Sequence, residues 1–156
     1  MTNVKQNKIE DNERSLKTLA RALTLSEGDF SLILVRCNSP ELREQILQKL
    51  KEEYPVEYQE LALDNSADTL YSSINQNLGQ SLPKALMVKS LESVNTLDRL
   101  LTAANLVRNN FQNFHFPLVL WVTDEIHKKL IRLAPDFQSW ASSAINFNPK
   151  SASAYN

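Results

Sequence analysis

Three almost uninterrupted apolar runs, Phe30–Val35, Ala85–Val88 and Pro117–Val122, constrain this chain more than any other feature. After each run, apolar residues begin to recur at helical spacing. A strand that is apolar on both of its faces needs cover on both, which is the situation of a strand inside a parallel sheet. Strands alternating with helices then imply right-handed crossovers and helices on the two sides of the sheet. Weaker strand signals at about Val56–Leu63 and Ala144–Phe147 bring the number of strands to five. The expected fold is a three-layer α/β/α domain around a five-stranded parallel sheet.

The helices are legible from their ends as well as their periodicity. Leu16, Leu19, Ala20 and Leu23 share one face of a first helix, with Arg14, Lys17 and Arg21 on the other, and Ser26-Glu27-Gly28 closes it. Ser39, Pro40 and Glu41 supply an N-cap, a first-turn proline and a first-turn acid. The helix they start carries Leu42, Ile46 and Leu50 and stops at Tyr54-Pro55. Asp64-Asn65-Ser66 is expected to cap the next helix, with Leu70, Ile74 and Leu78 inward and Gly79 as its C-cap. One long helix is predicted over Thr96–Gln112, another from Thr123-Asp124-Glu125 through Leu133, and a short turn over Pro135–Ala141. Residues 1–10 are polar and predicted to form a disordered arm, 11–148 a single domain, and 149–156 a tail.

Composition excludes several function classes. A formal net charge of -1 and a pI near 6.1 offer no long-range attraction to nucleic acid or an anionic membrane. No apolar stretch approaches the roughly 20 residues that a membrane span needs. The single cysteine, Cys37, permits neither an internal disulfide nor a multi-cysteine zinc site. A cytoplasmic location is expected. With only two glycines in 156 residues, Gly28 and Gly79, the chain contains no G-x-x-x-x-G-K-[ST] segment.

The alternation of strands, together with Pro117-Leu118-Val119-Leu120-Trp121-Val122-Thr123-Asp124-Glu125, Leu130 and Ala134-Pro135-Asp136-Phe137-Gln138-Ser139-Trp140, resembles a P-loop NTPase domain of the AAA or STAND type. Cyanobacterial multidomain STAND proteins are similar in this last third. The resemblance spans about Leu16 to Phe147 and implies the strand order 5-1-4-3-2. It also implies where working residues should stand, and there the chain departs from the pattern. Asn38-Ser39-Pro40-Glu41-Leu42-Arg43 follows the first strand in place of a phosphate loop. Pro40 has no N–H to offer a phosphate, and Glu41 adds a carboxylate. Lys89-Ser90 stands where a metal-binding acid is usual, with Glu92 only further on. No nucleotide, metal or other cofactor is therefore expected, and ATP hydrolysis is not expected either.

Other candidate chemistry is sparse. Asp64, Glu92, Asp124 and Glu125 all fall near predicted carboxyl ends of strands, where open α/β sheets bind ligands. Converging there, they would suit a metal-dependent hydrolase or ligand binder; standing apart, they complement helix dipoles. Cys37 precedes a helix, a placement that lowers a thiol pKa, with His127 as a conceivable partner and packing in the core as the alternative. The basic outer face of the first helix suits an acidic partner or simply solvent. Phe111 and Phe114, flanked by Asn109, Asn110 and Asn113, are the candidate interaction residues, since aromatic anchors with polar surrounds are typical of interface centres. The expected function is a non-catalytic interaction or regulatory module that meets a protein partner or a second copy of itself, and not nucleic acid, membrane or nucleotide.

Overall fold

The computed structural model describes the backbone of residues 4–149 and the side chains of residues 11–149. In chain order the elements are α1 (Val4–Leu25), β1 (Ser31–Cys37), α2 (Pro40–Glu53), β2 (Gln59–Ala62), α3 (Leu70–Leu78) and β3 (Leu86–Lys89). A single 3-10 turn, Leu91–Ser93, follows. Then come α4 (Leu97–Leu106), α5 (Arg108–Phe111), β4 (Pro117–Val122), α6 (Asp124–Leu133), α7 (Pro135–Gln138) and β5 (Ile145–Phe147). All strand pairs are parallel, in the order β2-β3-β4-β1-β5. This is the five-stranded α/β/α architecture expected from the sequence, with the strand order that the resemblance implies.

The pleat explains why the strands are apolar throughout. Successive side chains point to opposite faces, so Leu32 and Leu34 of β1 join Leu118, Leu120 and Val122 of β4 in one core. Ile33, Val35 and Cys37 join Val119 and Trp121 in the other. The first core is covered by α3, α4, α6 and α7, the second by α1 and α2. In the second, the Trp121 indole N–H donates to Met87 Sδ at 3.4 Å, which satisfies a polar group that burial would otherwise orphan.

Both glycines occupy left-handed backbone: Gly28 at φ +87° in the turn before β1, and Gly79 at φ +56° as the C-cap of α3. Each turns the chain, and neither lies at the carboxyl end of β1.

Several local expectations are corrected. The predicted disordered arm is helical from Val4 onward, and residues 1–3 lie outside the described residues. Straight-chain residues such as Lys5, Gln6 and Lys8 have good helix propensity and continue the helix toward the N-terminus. Most of the tail, 150–156, also lies outside the described residues. The cap of α3 is Thr69, whose hydroxyl accepts from Ser72 N–H. Asp64 instead closes a local turn by accepting from Ser66 N–H and Oγ. The helix predicted over Thr96–Gln112 breaks at Val107, where Arg108 Nη1 donates to the Asn105 carbonyl at 2.7 Å. β2 is shorter than predicted and forms one edge of the sheet.

The opposite edge is closed by side chains. Asn12, 5% exposed, donates from Nδ2 to the Asn148 carbonyl (2.6 Å) and accepts from Asn148 N–H (2.9 Å). Its amide thereby takes the place of a peptide group on a neighbouring strand. One turn on, Ser15 Oγ donates to the Asn146 carbonyl. Covering an edge in this way removes a template for unwanted pairing.

Candidate functional site

β1 and β4 are neighbours, yet α2 packs on one side of the sheet and α6 on the other. Their carboxyl ends therefore form the crevice at which open α/β sheets bind ligands. A cleft of about 850 Å³ lies there, with Asn38, Glu92, Asp98, Asp124, Glu125 and Lys129 among its lining residues.

The carboxyl ends of β1 and β4 are bridged by contacts within the chain. Asn38 Nδ2 donates to Asp124 Oδ2 at 3.0 Å, and Asp124 N–H donates to Asn38 Oδ1 at 2.8 Å. On α2, Ser39 Oγ accepts from Leu42 N–H and Pro40 has no N–H, so two of the donors at this helix end are unavailable to an anion. On α6, Thr123 Oγ1 accepts from Ile126 N–H in the same manner.

The cations around the crevice are paired as well. Arg36 Nε stands 3.0 Å from Asp124 Oδ1. Its N–H is not aimed at that oxygen and makes no hydrogen bond among the described residues, so this contact is Coulombic. Arg43, largely buried, reaches Glu44 at 3.0 Å and Glu92 at 3.1 Å. Lys89 meets Glu60 at 2.7 Å and Glu44 at 2.9 Å. Lys129 reaches Asp98 at 2.9 Å. Ser90, at φ +67°, turns the chain sharply after β3 and leads into the 3-10 turn that carries Glu92.

Titration follows this pairing. The hydrogen bond from Asn38, aided by Arg36, holds the Asp124 carboxyl below the usual carboxylate range. Burial pushes Glu44 up, but hydrogen bonds from Lys89 and Arg43 outweigh it and the net direction is down. Burial lowers Lys89, and its bonds to Glu60 and Glu44 reverse the sign. Burial raises Tyr58 to about 12, with Glu60 and Glu44 adding to the effect; its hydroxyl donates to the Leu47 carbonyl.

The sequence-predicted site residues are brought together only in part. Glu92, Asp124 and Glu125 share the crevice, whereas Asp64 lines a separate groove between β2 and α3. Among the described residues no three His, Cys, Asp or Glu side chains stand close enough to hold a metal ion. Cys37 is buried, and burial raises its thiol pKa where a helix start had been expected to lower it. Its Sγ donates to the Ser39 carbonyl at 3.3 Å, and no bond to His127 forms. His127 stands instead within the field of Arg36 and Asp124; burial lowers its pKa and Arg36 lowers it further.

The expected exposure of Phe111 or Phe114 is overturned. Phe111 is fully buried and Phe114 is 8% exposed. The two pack with Tyr71, Phe116 and Phe137 through ring contacts of 4.8–6.0 Å. The break at Val107 ends α4 early, and in the turn that follows both rings lie in the core. In the Pro135–Trp140 turn Phe137 is buried and Trp140 lies edge-on to Phe30 at 6.1 Å. Sequence reasoning missed Asn38, whose only local signal was a polar residue at a strand end.

No protein-family profile matches this chain, and no curated protein matches it. Among the described residues no helix is long and apolar enough to cross a membrane.

Proposed function

We propose that this chain is a degenerate P-loop-like domain of the AAA or STAND type that has no nucleotide site and acts in the cytoplasm through protein–protein contacts, as an interaction or regulatory module. The observation that carries the reading is the Asn38–Asp124 pair, two hydrogen bonds across the carboxyl ends of β1 and β4 where a phosphate would need free donors. A polyphosphate bound there would have to displace Asn38 and face Asp124, Glu125 and Glu92. Arg36, Arg43 and Lys89 could neutralise it only by abandoning carboxylates already within 3.1 Å. Like charge and lost hydrogen bonds both oppose occupancy. A lone buried cysteine also suits a reducing compartment.

Calorimetric titration of ATP with magnesium, paired with thermal melts, tests the absence of a nucleotide site. The expected result is no heat of binding and no rise in melting temperature at millimolar ATP. Micromolar affinity would overturn the reading. Crosslinking in the native host followed by mass spectrometry tests the contact role, and recovery of the uncrosslinked monomer alone would count against it.

A further inference from the structure

β5 covers only part of β1. Ile145, Asn146 and Phe147 pair with Val35, Arg36 and Cys37, while among the described residues Ser31–Leu34 pair with β4 alone. Trp140, packed edge-on to Phe30, ties the segment before β5 to the α3–α7 side of the sheet, and pairing begins only at Ile145. A groove of about 350 Å³ lies beside the uncovered stretch. Ser31, Leu32, Ile33 and Leu34 all line it. Successive side chains of a strand point to opposite faces, so a groove touching all four must run along the edge of the backbone. With β4 on the other edge, the open one faces β5.

The closure that α1 provides further up stops short of this gap. Asn12 and Ser15 bond the backbone of β5 and the residue after it. Thr18, the next residue facing that way, donates instead to the Arg14 carbonyl within its own helix. Beyond it, Arg21, Ala22, Leu25 and Ser26 form one wall, with Leu25 77% exposed at the rim, and Ser142, Ser143 and Ile145 also line the groove. Arg21 has no carboxylate within ion-pair distance among the described residues. The gap thus combines unpaired strand backbone, apolar walls and one available cation.

We infer that the open half-edge of β1 binds an extended peptide segment of a partner protein, about four residues long, with small or β-branched side chains and an acidic residue placed against Arg21. The inference rests on the reading of the domain as a contact module and names the partner's chemistry. At about 3.3 Å per residue, four residues span the uncovered stretch, and strand addition of this kind draws affinity from main-chain hydrogen bonds. Charge favours a peptide over a second copy of this chain, because an isologous contact would bring one Arg21 to the edge occupied by the other.

The test uses nitrogen-15 spectra of the full chain titrated with acetyl-Glu-Val-Ser-Val-Ser-amide. Controls are the same peptide with lysine in place of glutamate and one with alternate backbone amides methylated. Expected are shifts confined to Ser31–Leu34, Ser142–Ile145 and the Arg21 region, loss of binding on methylation, and at least fivefold weaker binding of the lysine peptide. Arg21→Glu, on an exposed helix face, should fold normally and reverse that preference. No shifts with any peptide at millimolar concentration would overturn the inference, as would binding indifferent to methylation. Protein dimerising through Ser31–Leu34 in sedimentation and crosslinking would overturn it in favour of self-pairing. Any of these failures leaves the nucleotide titration unaffected, so the inference and the reading beneath it fall separately.

Discussion

Asn38 and Asp124, 86 residues apart in the chain, exchange two hydrogen bonds across the ends of adjacent strands. One bond comes from a side-chain amide to a carboxylate, the other from a backbone N–H to the amide oxygen. Together they tie the start of α2 to the start of α6, although those helices lie on opposite sides of the sheet. The crevice between them is thereby braced by the chain itself.

Asn38→Ala should lower stability by about 1 kcal/mol, as two partly exposed hydrogen bonds give way to water. The loss should depend on pH. Asp124 has a depressed folded-state pKa, so its stabilisation is fully present above the unfolded value of roughly 3.9 and is lost as pH falls through the folded value. The gap between wild type and Asn38→Ala should therefore narrow in denaturant melts below about pH 4. It should not vanish, since the bond from Asp124 N–H does not titrate. A gap that widens on acidification would contradict this account.

At the start of α2, the cap and the acid should behave differently. Ser39→Ala removes the acceptor for Leu42 N–H and should cost about 1 kcal/mol. Glu41 is exposed and makes no ion pair among the described residues, leaving its interaction with the helix dipole, so Glu41→Ala should cost well under about 1 kcal/mol. Urea titrations of the two variants, with unchanged m-values, check the ranking.

Phe111→Ala removes a fully buried ring from the aromatic cluster and should destabilise by about 3–5 kcal/mol. In a chain of this size that corresponds to a fall in melting temperature of roughly 10 °C. A fall of only a degree or two, measured by calorimetry, would mean that the ring does not pack as described.

Asn12→Ala should cost about 1–2 kcal/mol, because the Asn148 carbonyl and N–H both lose their partner. Hydrogen exchange should accelerate at Asn146–Asn148 and leave β3 and β4 unchanged. Asn12→Asp should be no better, since a carboxylate cannot donate to the Asn148 carbonyl.

Much of the fold was legible because its signals are local. Apolar runs marked β1, β3 and β4, and Ser39-Pro40-Glu41 and Thr123 marked the starts of α2 and α6. The lack of a G-x-x-x-x-G-K-[ST] segment was legible for the same reason, since glycine content and the proline after Ser39 are properties of the chain itself. The candidate site was less so: its acids were foreseen singly, but not which of them would meet an arginine or lysine.

What the sequence determined by itself is the alternation of strands and helices and the lack of a G-x-x-x-x-G-K-[ST] segment, because backbone propensity, side-chain period and capping act over a few residues. Tertiary structure alone decided that Asn38 faces Asp124, that Phe111 and Phe114 are core, and that Asn12 closes the edge of β5. Each of those outcomes depends on strand register and helix placement between segments far apart in the chain. A side chain's partner is set by that long-range geometry, and no local pattern encodes it.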